Sequence, residues 1–381
     1  MRNFTHTENL FRVPPEVIEQ LTAQADAGDA LACFKVGRYH YVVQPDEDSI
    51  EKAIDYIEKA QEGGIIEADV AKAIILYNGD SGLVDREEAH NLLDKGLDHE
   101  CEFAAELFSR NIINGNNGYK VDRQLAIRAL EALIAESDNP MYYFLYATAL
   151  EAEHSLSAAR PWYEKAYNAG FLTASVNLAV CRGYNDDYEL VDQDAYRDTL
   201  HAAAKAGDPT AYCVILMDEL APDIFEQEEP ERTESQNKLI EGLEWCAGNG
   251  CVLAAHYLGE IYRYGQYGIE KDIEEAYSWH CQASQWGVSD SYEALYTMVA
   301  EAEIDFDPNE IDDVLDYLAL QGARSQNEAM LRKAVERYNQ GGLKDFDTEI
   351  EAYHIPAYNA LPDEPEEDEP IDDDGRYDPY V

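Results

Sequence analysis

Basic residues are scarce in this chain. Lysine and arginine together number 28 against 78 aspartates and glutamates, which leaves a formal net charge of −50 over 381 residues. So negative a surface repels nucleic acid and anionic membranes, and it attracts cationic proteins within a screening length of about 8 Å at physiological salt. Nucleic acid and membrane are therefore excluded as partners, and a basic protein is the partner expected.

Long apolar runs are missing too. The opening MRNFTHTENLFRVPPEVIEQ holds no apolar core of signal-peptide length. No later run approaches the roughly 18 apolar residues needed to cross a bilayer. A soluble, cytoplasmic chain is the expectation.

Motifs that announce chemistry are equally thin. The seven cysteines, Cys33, Cys101, Cys181, Cys213, Cys246, Cys251 and Cys281, are odd in number and read as reduced, partly buried thiols. Cys246, Cys251, His256, His280 and Cys281 crowd one region of the sequence, but there is no Cys-x-x-Cys or His-x-x-x-His pair, and helical positions five apart diverge. No metal or other cofactor is expected.

In DFDPNEIDDVLD, residues Asp305, Asp307, Asn309, Asp313 and Asp316 follow a calcium-loop template, yet Glu310 stands where that loop needs glycine and Asp312 where it needs an apolar residue. Capping of a following helix is the plainer account. Neither a Gly-x-x-x-x-Gly-Lys phosphate loop nor a Gly-x-Ser-x-Gly elbow occurs. No catalytic constellation emerges; a non-catalytic role is the expectation, with an enzyme whose degenerate site the repeats hide as the remote alternative.

What the chain does have is a period. Gly28, Gly64, Gly170, Gly207, Gly250, Gly287 and Gly322 recur at spacings close to 36 residues, with two skipped positions near Glu100 and Ser137. A fixed period of this length marks stacked helical hairpins. The phrase is clearest in residues 254 to 287. Ala254, Leu258, Gly259 and Tyr262 share one face of a first helix, a Gly265–Gly268 turn follows, and Asp272, Ala276, Trp279, Ala283 and Gly287 mark a second helix ended by glycine. The second half returns as Ala53, Tyr56, Ala60, Gly64 and as Ala159, Trp162, Ala166, Gly170. Small residues at fixed places let paired helices approach closely while Trp, Tyr or Leu fills the gap between repeats.

These residues resemble the Sel1-like repeat, a relative of the tetratricopeptide repeat with a longer, Gly-rich turn, and AAHYLGEIYRYGQYGIEKDIEEAYSWHCQASQWG looks like a near-complete unit. The fold expected is an all-α solenoid of about eight to nine Sel1-like hairpins, and the resemblance implies a scaffold that holds a protein partner. Residues 1–14 read as an N-terminal extension and 15–341 as the solenoid, with an acidic insertion at 221–237. Residues 342–381 read as an acidic, Pro-rich tail too charged to fold alone. From Leu361 onward that tail accounts for −9 of the charge and leaves −41 on the repeats.

A stack of hairpins curves into an open groove lined by its first helices. Counting 100° per residue from the signature positions selects the groove-facing pairs Phe34 and Arg38, Val176 and Val180, Cys213 and Met217, His256 and Glu260, and Glu293 and Thr297. Phe34, Arg38, His256, Glu260 and Glu293 are the candidates for partner contact, against the alternative that such residues pack on the neighbouring repeat. Glu226, Glu228, Glu229 and Glu231 of the insertion form a candidate acidic arm. The 27 tyrosines supply large, stiff contact area. A general scaffold and a stoichiometric inhibitor of a basic toxin or nuclease both fit, as do acidity for solubility alone and a halophilic origin. Oligomeric state is left open.

Overall fold

The computed structural model describes residues 10–43, 47–78, 85–221, 234–325 and 327–343. Within them the chain is an all-α repeat solenoid. The second helices of the repeats are α1 (Pro15–Asp26), α3 (Glu47–Glu62), α5 (Arg86–Asp98), α7 (Arg123–Glu136), α9 (Leu156–Asn168), α11 (Gln193–Lys205), α13 (Glu234–Gly248), α15 (Ile273–Gln285) and α17 (Ile311–Arg324). The first helices alternate with them: α2 (Ala30–Val43), α4 (Ile66–Asn78), α6 (Glu102–Asn114), α8 (Pro140–Glu153), α10 (Ser175–Gly183), α12 (Pro209–Ile215), α14 (Val252–Tyr264), α16 (Ser289–Ala300) and α18 (Glu328–Asn339). A short 3-10 turn, Leu10–Arg12, precedes them, and among the described residues the β structure amounts to one isolated bridge between Tyr184 and Leu190.

The recurring glycines stop the second helices by one mechanism. At Gly28, Gly64, Gly170, Gly207, Gly250 and Gly287 the backbone has φ between 82° and 95°. There the amide of the following residue returns to a carbonyl five residues back, as from Asp29 to Gln24 and from Val288 to Ala283. This is the left-handed cap that glycine adopts without a Cβ penalty. Where the series skips, Glu100 takes the same conformation at φ 56°, with Cys101 returning to Gly96.

Gly322 breaks the expectation. It lies inside α17, and the Asn327 amide returns to its carbonyl, which places Gly322 at the register of Ala283 rather than of Gly287. Its job there is close approach, since a Cβ would meet Met330 at 2.6 Å.

Aspartates start the second helices just as regularly. Asp85, Asp122, Asp192 and Asp272 each accept a hydrogen bond from the backbone amide three residues on. Each thereby satisfies one of the amides that a helix start leaves open. The sequence DFDPNEIDDVLD behaves differently. Asp307 accepts from the Asn309 amide inside the connection, and α17 then begins with no side-chain cap at Glu310.

Packing follows the small residues. Ala53, Ala60, Ala159, Ala166, Ala254, Ala276 and Ala283 are fully buried, and Gly37 and Gly259 let their hairpins close further. A Cβ at Gly259 would stand 2.7 Å from the ring of His280, itself fully buried. Gly259→Ala should therefore destabilise the fold by about 1–3 kcal/mol, because the ring has nowhere to retreat. A urea melt of the variant checks this; an unchanged midpoint would mean that the hairpin has room for the added methyl.

First helices also touch one another, α2 with α4, α4 with α6, α6 with α8, α10 with α12, α12 with α14 and α16 with α18, whereas second helices do not pack together to that extent among the described residues. The first helices accordingly line the inner side of the curve.

Candidate protein-binding surface

The inner side is a set of seams between first helices more than an open trough. Phe34, Arg38 and His256 are buried, Glu260 is half-buried, and of the five groove candidates Glu293 stands exposed. Helical geometry turned the first three toward the next repeat, and the next repeat's helix covers them. Arg38 lies over the Phe34 ring at 5.4 Å. His256 Nδ1 is 2.9 Å from Ser291 Oγ on the following first helix. Among the other selected positions Cys213 is buried and Val176, Val180, Met217 and Thr297 are half-buried. The acidic arm of Glu226, Glu228, Glu229 and Glu231 lies outside the described residues, as does all but the first two residues of the 342–381 tail.

His256 belongs to a buried polar cluster. Its ring meets that of His280 edge-on at 5.4 Å, and His280 Nε2 stands 3.2 Å from Glu260 Oε1 without hydrogen-bond alignment. Burial, with His280 beside it, holds the His256 imidazole below its ordinary pKa. Burial raises Glu260, but His280, His256 and Arg263 overcome it, and the carboxyl ends below the usual range.

The signs agree. A histidine whose folded pKa is depressed binds fewer protons than in the unfolded chain, so its stability contribution is intact above about pH 6.5 and falls as the pH drops below it. That of Glu260 falls further into acid. Stability should decline from about pH 6.5 downward, and His256→Gln should flatten the upper part of that decline. Thermal melts across pH check this; an acid limb identical in the variant would show that another group controls it.

Cys213, Cys246 and Cys251 meet in the core between α12, α13 and α14. Cys213 donates toward Cys251, which raises the Cys213 thiol and lowers that of Cys251. Among the described residues no group of three or more His, Cys, Asp or Glu side chains is placed to hold a metal ion.

Two features were not anticipated. The first closes the curve. Trp286 Nε1–H donates to the Val42 carbonyl at 3.1 Å, across 244 residues, and its ring meets Phe11 edge-on at 5.1 Å. Phe11 also lies over Gly250, where a Cβ would strike it at 2.6 Å. The superhelix thus comes round until its seventh hairpin meets its start. A signal was present in the sequence: Trp286 precedes a capping glycine where the other units carry Ala27, Gly63, Ala169, Ala206 and Asn249.

The second feature is a cavity of about 560 Å³ in the notch between α15 and α17. Tyr277, Tyr292, Phe306 and Tyr317 supply its aromatic wall, with Glu310 and Asp313 also lining it. Tyr277 and Phe306 meet at 5.9 Å, and Tyr317 is 54% exposed. Phe306 is carried by the connection between α16 and α17, which is tied down where Glu303 accepts from Arg263 on α14 at 2.9 Å. That Arg263 bond outweighs burial and holds the Glu303 carboxyl below its ordinary range. Cys281 at the cavity wall is pushed up to about 11 by burial.

Solved structures similar to this chain include two of the same repeat type. One is a Sel1 repeat protein from Oxalobacter formigenes, at 21% identity over 86% of this chain and 92% of that one, with a TM-score of 0.40. The other is c5321, a protective antigen present in uropathogenic Escherichia coli strains displaying an SLR fold, at 19% identity over 85% of this chain and 75% of that one, with a TM-score of 0.36. No protein-family model matches the chain, and no curated protein matches it. Among the described residues no helix is long and apolar enough to cross a membrane.

Proposed function

We propose that this protein is a non-catalytic scaffold that holds a basic partner protein on its acidic solenoid. Charge carries the reading. Were every lysine and arginine matched to a carboxylate, fifty carboxylates would remain over; a net nine of them lie from Leu361 onward, and a repeat stack presents those of its own residues along an extended surface. The buried His256, Glu260 and Ser291 group supports packing instead of chemistry, because its members face a neighbouring helix and not a substrate-sized space. Cytoplasmic location accords with the reduced cysteines of the sequence.

Affinity capture from the producing cells, run at low and at high salt, tests this. Cationic proteins should be enriched at low salt and released as ionic strength rises. A captured set with no cationic bias, indifferent to salt, would remove the basis of the reading. The same net charge favours a second reading, a stoichiometric inhibitor whose carboxylates occupy the partner's cationic cleft. It separates from the first on activity, since a scaffolded enzyme stays active while bound and an inhibited one is silent.

A further inference from the structure

We propose that the notch between α15 and α17 is an arginine-binding pocket, the point at which a basic partner segment inserts a guanidinium side chain. The proposal deepens the basic-partner reading and rests on it. Three observations converge on this site. The wall is aromatic on several sides, formed by Tyr277, Tyr292, Phe306 and Tyr317. Aromatic faces attract cations, and arginine most readily because its flat group stacks as well.

Glu310 and Asp313 line the same space and are exposed, so they offer charge at the mouth without a desolvated carboxylate at the base. None of the described residues lining the cavity is basic. At about 560 Å³ the space takes an arginine together with part of a flanking residue.

The geometry is built, not incidental. The connection from Glu301 to Glu310 is two residues longer than its counterpart from Gly265 to Asp272, and the Arg263–Glu303 pair fixes it where Phe306 closes one side. Tyr277 stands on α15 at the position held by Ile54 and Arg160 in two other units; His90 takes it in a third, where its ring packs against Tyr77 and Tyr119. A cation docked here meets the mutual field of a strongly acidic body, which adds attraction over distance to the local ring and carboxylate contacts.

The test uses the full chain and a fluorescein-labelled peptide of glycine and alanine carrying three arginines, with a counterpart in which citrulline replaces arginine. The arginine peptide should bind at low salt, and the citrulline peptide, equal in shape but uncharged, should not. Tyr317→Ala combined with Asp313→Asn should weaken arginine-peptide binding about tenfold or more. Both positions are exposed, so the fold should be kept, which circular dichroism verifies.

Glu136→Gln with Glu153→Gln, exposed carboxylates on the third and fourth hairpins, should weaken it less than about twofold. Tyr317→Phe alone, which keeps the ring, should bind as the parent does. Equal losses in the notch and distant variants would overturn the pocket while leaving the basic-partner reading in place. Failure of the arginine peptide to bind at all would overturn both.

Discussion

Trp286→Ala should destabilise the protein by about 3–5 kcal/mol, the range for removing a large buried aromatic side chain. The ring is 7% exposed, packs edge-on against Phe11, and supplies the hydrogen bond to Val42 that joins the seventh hairpin to the first. Val42 lies in the last turn of α2, where helix carbonyls have no partner along the helix. The indole therefore does two jobs.

Trp286→Phe separates them, keeping a ring beside Phe11 but leaving the carbonyl bare, and should cost about 1–3 kcal/mol. Small-angle scattering gives the independent readout, with a larger radius of gyration in Trp286→Ala as the start of the chain comes away. Phe11→Ala should have less effect in the Trp286→Ala background than in the parent, because the two side chains share one contact. If scattering is unchanged and the two substitutions add without coupling, the contact across 244 residues does not hold the curve closed.

How far the sequence disclosed this molecule depends on whether a feature is local. Glycines at 28, 64, 170, 207, 250 and 287 were readable because a left-handed cap is a backbone requirement that selects one residue type. Gly322 misled because close helix approach selects glycine too, and only the Asn327 to Gly322 hydrogen bond shows which role it plays. Phe34, Arg38 and His256 lie buried in the seams between first helices, and facing inward does not mean being open. How near the next first helix comes is set by alanines and glycines on other elements.

Trp286 was visible as an intruder in its register, yet no periodicity names a partner that appears only once the curve has turned. The notch beside Tyr317 depends on loop length and on Arg263 holding Glu303, neither of which a repeat alignment weighs. A repeating sequence thus discloses what every unit shares. The notch and the closing contact reside in what single units do differently.

Buried Glu106 and the half-buried Arg110 beside it give the second large effect. Glu106 is 2% exposed in the seam between first helices, and Arg110 donates to its Oε1 from Nε at 3.0 Å with Nη2 2.9 Å away. Its Oε2 is buried with no hydrogen-bond partner. Arg110→Met would leave a carboxylate in a dry seam with its nearest counter-charge gone, and should cost about 3–5 kcal/mol at neutral pH.

Replacing both, Glu106→Leu with Arg110→Met, should restore most of that loss, since a buried pair of charges is often no more stable than an apolar pair of similar size. Burial already raises the Glu106 pKa above the ordinary range, although Arg110 and Arg38 pull it down. Without Arg110 it must rise further.

A carboxyl whose folded pKa exceeds its unfolded value binds more protons when folded, so it gains stability as the pH falls toward the unfolded value near 4.5. The deficit of Arg110→Met should therefore shrink between neutrality and about pH 5, while that of a variant elsewhere in the apolar core should not. Urea melts of both proteins at the two pH values measure it. A deficit below about 1 kcal/mol, or one that stays constant on acidification, would mean that water reaches Glu106 and that the inner seam is wetter than its burial implies.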